Sequence, residues 1–207
     1  MPPTHEVTNQ VPPLVDFDTA DHPALVESLR REGAGWAADD VSAIGRLAGS
    51  AQAQEWGRLA EQHHPVLRTH DRYGHRVDEV EYDPAYHELM RVAVANGLHA
   101  TPWSDDRPGA HVARAAKMLA WGQADAGHIC PISMTYAVVP ALRNQPALAD
   151  AYESLLASTD YDFGLRAPAT KRGLIAGMSM TEKQGGSDVR ANTTTATPND
   201  DGTFRIV

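Results

Sequence analysis

The chain lacks most of what would assign it to a specialised class. It has one cysteine, Cys130, so no internal disulfide can form, and that fits a reducing compartment. Cys130 precedes Pro131 in an apolar setting, which predicts a small buried side chain rather than a nucleophile. No apolar run reaches the length of a membrane span. The richest stretch, Ala115 to Leu142, is broken by Gln123, Asp125, His128 and Pro131. Met1 to Asp21 holds prolines and acids and no apolar secretory core, so no signal peptide is expected and the predicted location is cytoplasmic. The sequon Asn192-Thr193-Thr194 is then idle. Cations are also scarce. Against 27 Asp and Glu stand 18 Lys and Arg, a net charge of -9, which argues against a nucleic-acid surface and is read as solubility. His63, His64, His70 and His75 share one polar stretch, but their spacing matches no regular ligand pattern, and no metal is expected. His87-Glu88 fails to complete a His-Glu-x-x-His pair because position 91 is Arg. No internal repeat or low-complexity tract is present.

What remains is a globular chain. Its 207 residues, 42% apolar and 22% charged, suffice for a helical domain plus part of another. Residues 1–17 carry four prolines and no helical period and read as an extended arm. Residues 18–160 read as a helical domain. One helix starts near Asp21-His22-Pro23 and stops at Gly33 and Gly35. Others run from Ala37 to Leu47 and, capped by Ser50, from Ala51 to Ala60. His63 to Asp83 reads as a polar, turn-rich loop. Asp83-Pro84 then starts a helix that Asn96-Gly97 stops. An alanine-rich helix, Ala110 to Ala126, is expected to be central, because small residues allow close helix approach. Pro131 opens an apolar helix through Leu142, and a last one spans Pro146 to Ser158.

From residue 161 the pattern changes. After a linker broken by Gly164 and Pro168, Gly173 to Met180 and Arg190 to Thr197 read as strands, and Thr203 to Val207 begins a third. The fold class expected is therefore mainly α, with a helical domain followed, over residues 161–207, by the first strands of a truncated β domain. From the end of the first strand toward the second runs Met178-Ser179-Met180-Thr181-Glu182-Lys183-Gln184-Gly185-Gly186-Ser187-Asp188. Gly185 and Gly186 can take positive φ and leave no Cβ in the way, so backbone N–H groups can approach a ligand. Thr181 and Ser187 each add a hydroxyl. Such a loop suits a flat, hydrogen-bonding cofactor with a phosphate tail, although a plain hairpin turn would carry the same glycines.

Met180-Thr181-Glu182-Lys183-Gln184-Gly185-Gly186-Ser187-Asp188-Val189 resembles the flavin loop of the acyl-CoA dehydrogenases, Thr-Glu-Pro-x-Ala-Gly-Ser-Asp. Lys183 and Gly185 depart from it, and both departures look like the AidB branch, the alkylation-response flavoproteins. Arg31-Glu32-Gly33-Ala34-Gly35-Trp36, Gly109 to Ala116, Cys130 to Thr135 and Lys171-Arg172-Gly173 agree. The likeness runs from about Thr4 to the last residue and covers the front part of the family's usual length.

The resemblance implies a barrel-like β domain after the helices, FAD as cofactor and an acyl-CoA-like substrate that is dehydrogenated between its α and β carbons. It implies a homotetramer at full length. Cofactor binding would fall to Met178, Met180, Thr181, Gly185, Gly186 and Ser187. Thr181 would bond the flavin's pyrimidine edge, and the backbone around Met178 and Met180 would flank the ring. Gly186 and Ser187 would meet the pyrophosphate or the acyl-CoA beside it, so Thr181 and Ser187 are also substrate candidates. No catalytic residue is assigned: the family's glutamate base belongs to a later helical domain, and Glu182 is expected to orient backbone N–H groups or face water. Two alternatives compete. One is a flavin-carrying, DNA-protective protein with vestigial dehydrogenase activity, touching DNA through a basic C-terminal region absent here. The other is a truncated chain without independent activity.

Overall fold

The computed structural model describes residue 4 and residues 8–207, so most of the first half of the expected arm lies outside the described residues. The described part of the arm, from Thr8 to Val15, is exposed and carries neither helix nor strand. Seven α-helices follow among the described residues: α1 (Pro23–Arg31), α2 (Ala38–Ala48), α3 (Ala51–Gln62), α4 (Pro84–Ala95), α5 (Ala110–Trp121), α6 (Ile129–Leu142) and α7 (Pro146–Leu156). A hairpin of β1 (Val66–His70) and β2 (Arg76–Glu81) interrupts them, and a second, of β3 (Ala196–Pro198) and β4 (Phe204–Ile206), ends the chain. Both hairpins are antiparallel. The chain is mainly α, and it divides into two compact units, Met1–Ala176 and Gly177–Val207.

The helix boundaries follow local chemistry. Ser50 Oγ accepts the Ala53 N–H at 3.2 Å, and an Asp83 carboxylate oxygen accepts the Ala85 N–H at 2.8 Å, each satisfying a donor that the first helical turn leaves free. Gly33 and Gly97, at φ +75 and +70, end α1 and α4 in the left-handed conformation that a Cβ disfavours. Basic side chains of α5 serve the segment after α4: Arg114 Nε donates to Leu98 O at 2.7 Å and Lys117 Nζ to Asn96 O at 3.0 Å. Pro131 does not open α6. That helix begins at Ile129, with Pro131 inside its first turn, where a missing N–H costs nothing.

The interior of the first unit draws on all seven helices, with α7 contributing Leu156 to a second, smaller cluster. Trp121, Leu89, Met90, Leu98 and Ile132 are fully buried in one apolar cluster that also holds Ala113, Ala116 and Ala120 of α5. The chain before α1 lies directly on α2. Thr19 N donates to Gly45 O and Asp16 N to Gly49 O, and a Cβ on Gly49 would stand only 1.9 Å from Phe17 O. Glycines one turn apart thus open a lane through which the end of the arm runs.

Proline within α6 is compensated. Pro140 has no N–H to give the carbonyl of Tyr136, four residues back. Trp103 Nε1 donates to Tyr136 O at 2.8 Å instead.

Three expectations fail. The polar stretch after α3 is not a loop. It is the β1–β2 hairpin, whose Asp71-Arg72-Tyr73-Gly74 turn is tied by Asp71 Oδ1 to the N–H groups of Tyr73 at 2.8 Å and His75 at 2.9 Å. Gly173 to Met180 forms no strand: Leu174 N bonds Leu155 O at 3.0 Å and Ala176 N bonds Thr135 Oγ1 at 3.0 Å. Arg190 to Thr197 is a 3-10 turn, Val189–Ala191, followed by strand only from Ala196. Cys130 is a further correction, since it is exposed on the first turn of α6.

Candidate functional site

The loop from Met178 to Ser187 lies in the second unit, which has no buried residue. Its order comes from hydrogen bonds centred on Glu182. One carboxylate oxygen accepts the Thr193 N–H at 2.9 Å and the Thr193 hydroxyl at 3.3 Å, and the other accepts the Thr194 N–H at 2.6 Å. The Gln184 side-chain amide donates to the same carboxylate. These donors, the Thr193 amide first, hold the Glu182 carboxyl down to about 2. Asn192 Nδ2 donates to Met180 O at 3.0 Å, and Gly185 N to Glu182 O at 3.2 Å, closing a short turn. The Asn192-Thr193-Thr194 run, read from sequence as strand, is thus spent on fastening the loop. A carboxylate preceding a run of Asn and Thr was the only signal for it.

Once the fasteners are in place, the candidate residues are left with free groups. Thr181 and Ser187 are exposed, and among the described residues neither hydroxyl has a hydrogen-bond partner. Met178 and Met180 are about half exposed, at 59% and 52%. Neither Gly185 nor Gly186 uses the left-handed backbone open to glycine. Their use is space: a Cβ on Gly185 would meet nothing within 4 Å, and one on Gly186 would come within 3.2 Å of Thr181 Cγ2. The loop therefore presents two hydroxyls, two thioether side chains and a backbone stretch bare of side-chain bulk. That donor set fits a flat, hydrogen-bonding cofactor.

Elsewhere, among the described residues, no group of three or more His, Cys, Asp or Glu is placed to hold a metal ion. His63 and His75 instead pair with Asp83 at 2.6 Å and Asp71 at 3.0 Å. No helix among the described residues is long and apolar enough to cross a membrane.

The family described as the adaptive response protein AidB N-terminal domain matches residues 9–163. The chain belongs to the AidB family. It is 44% identical over 207 residues to the putative acyl-CoA dehydrogenase AidB of Escherichia coli (strain K12), covering 99% of this chain and 38% of that protein. It is 27% identical over 205 residues to acyl-CoA dehydrogenase family member 11 of Caenorhabditis elegans, covering 96% of this chain and 32% of that one. Among solved structures, C. elegans ACDH-11 in complex with C11-CoA superposes with a TM-score of 0.73 at 26% identity, over 98% of this chain and 35% of its own. The apo form of Bd2924 superposes with a TM-score of 0.71 at 25% identity, over 89% of this chain and 37% of its own. This AidB-family chain thus spans about a third of the length of its relatives, and it is related throughout to proteins named acyl-CoA dehydrogenases.

Proposed function

We propose that this chain is the N-terminal part of an FAD-dependent, AidB-like oxidoreductase that dehydrogenates acyl-CoA thioesters, and that residues 178–187 are its contribution to the flavin site. In this reading residues 1–17 are an arm, residues 18–160 the helical domain and residues 161–207 the start of a β domain. One observation carries the proposal: in a chain whose relatives are named acyl-CoA dehydrogenases, the loop resembling the flavin signature is fastened through Glu182 while its hydroxyls stay free.

When bound, the flavin supplies the two-electron chemistry. The residues of this chain supply position. Thr181 would donate its hydroxyl to the flavin, the main chain at Met178 and Met180 would flank it, and Gly185 and Gly186 would let backbone N–H groups come close. Ser187 would serve the pyrophosphate or the acyl-CoA. Donors held in place before the ligand arrives need no reorganisation to stabilise charge that develops on it. Glu182 takes no proton in the reaction. A carboxylate held near a pKa of about 2 by its donors is too weak a base for an α-proton, and its oxygens are already engaged. The base, the tetramer and a cytoplasmic location belong to the full-length proposal. A second reading, a flavin-carrying protective protein that contacts DNA through a later region, is favoured by the family's description as an adaptive response protein.

The test uses the full-length protein. It is expected to purify yellow and to bleach anaerobically with an acyl-CoA. Thr181→Ala should weaken flavin retention roughly 5- to 10-fold, the worth of one hydrogen bond. Bound flavin that never bleaches, with salt-sensitive DNA binding, selects the second reading. A colourless protein, or full flavin retention in Thr181→Ala, defeats the assignment of the loop.

A further inference from the structure

No described residue buries the β1–β2 hairpin. Every residue of both strands is exposed, Val66 and Val80 at 44% and Leu67 at 60%. A two-stranded ribbon is marginal in water and gains stability when further strands join it. The sheet stops at these two strands, so each has one open edge of unpaired N–H and C=O groups.

The two edges differ. Between the pairs Arg68–Glu79 and His70–Arg76, β1 advances by two residues and β2 by three. The extra residue is a bulge on β2, where Asp78 takes φ +47. A bulge bends its strand and spoils the edge as a template. β1 carries no extra residue, so its edge is the one fit to receive a further strand.

Side chains decide which strand fits. Another β1 can pair antiparallel with this one about a two-fold axis normal to the sheet. Facing residues must share a side of the sheet, so the axis runs through a residue, which then faces its own copy. Through Arg68 the axis sets two guanidinium groups against each other, and like charges directly opposite destabilise a sheet. Through Thr69 it sets Leu67 against Asp71, and through His70 it sets Arg68 against Arg72. Through Val66 it drives His70 onto Gln62, the last residue of α3. Leu67 meets none of these conflicts. It stands opposite Val80 in the hairpin, so an axis through it builds one apolar row, Val80–Leu67–Leu67–Val80, across four strands. On the other side of the sheet Val66 faces the partner's Arg68. Within each copy Arg68 Nε is paired with Glu81 at 2.7 Å, so no free charge is pressed against Val66.

We propose that β1 is a self-pairing edge, to which a second copy of this chain adds its own β1 antiparallel, Leu67 against Leu67, making one four-stranded sheet. The five-residue strand is far shorter than the roughly 20–30 residues a side of a standard interface, so the pair is weak alone and must be trapped to be seen.

The experiment is disulfide trapping in the full-length protein, with Cys130 and any later cysteine changed to Ser. Directly opposed residues on antiparallel strands have Cα atoms about 4.5–5.5 Å apart, within reach of a disulfide. Under oxidised glutathione, Leu67→Cys is expected to give a covalent dimer on a non-reducing gel. Thr69→Cys should not, because the two copies of that position would lie roughly 13 Å apart along the strands. Both positions are exposed, so both variants should fold. The proposal is overturned if Leu67→Cys stays uncoupled or if Thr69→Cys couples as fast. It is also overturned if the β1 amides are protected from exchange in a protein that Leu67→Cys cannot couple, since another strand then holds the edge.

Discussion

The two units of this chain are held by different forces. Residues 1–176 enclose an apolar interior in which Trp121, Leu89 and Ile132 are completely buried. Residues 177–207 bury nothing, and their order rests on a carboxylate, two threonine amides, an asparagine and a three-residue antiparallel pair. Apolar burial is non-directional and tolerates small shifts, whereas hydrogen bonds fix direction and fail one by one. The comparison shows where a binding loop can sit. A segment with no core of its own leaves its main chain and hydroxyls available, and its shape is set by a few polar fasteners.

The contrast can be broken from either side. Trp121→Ala should have the largest effect, costing about 3–5 kcal/mol of stability in denaturant unfolding, because it removes a fully buried indole from the apolar cluster and leaves a cavity. Gly49→Ala should cost about 1–3 kcal/mol, since its Cβ would displace the chain at Phe17. The same assay reads it, and Gly49→Ser should be at least as harmful. Ser50→Ala should cost about 1 kcal/mol through loss of the α3 cap.

Glu182→Gln should change global unfolding least and local order most, seen as faster amide exchange at Thr193 and Thr194. Acid should do the same to the wild type. The Glu182 carboxyl has a reference value of 4.5 and is lowered to about 2 in the fold, so its contribution is complete above pH 4.5 and is lost as the pH falls through about 2. Protection of those amides should decline across that window. If Glu182→Gln lowers the unfolding midpoint as much as Ser50→Ala, the division into two kinds of order is wrong.

Much of the helical unit could be read from the chain because its signals are local. Ser50 and Asp83 cap where expected, and Gly33 and Gly97 stop their helices. The β1–β2 hairpin was missed because its residues are exposed along both strands, so no alternation of apolar and polar side chains marks them. Its Asp-x-x-Gly turn was the readable clue. The strands assigned to 173–180 and 190–197 failed for the opposite reason. Their β-branched and apolar residues suit a strand, but a strand needs a partner, and Leu155 O, Thr135 Oγ1 and Glu182 took those amides first. In the loop, residue types suggested hydroxyls and freedom from side-chain bulk, and both are present. The positive φ of the glycine pair is not, because the turn closes through Gly185 N and Glu182 O without it.

The indole that stands in for the amide missing at Pro140 makes two distant positions one unit. Trp103→Phe strands the Tyr136 carbonyl, whereas Pro140→Ala restores an amide that must compete with the indole for it. Each change alone should destabilise the protein or leave it little improved, and both together should cost less than their sum. Residues 37 places apart in the chain would then be free to vary only as a pair.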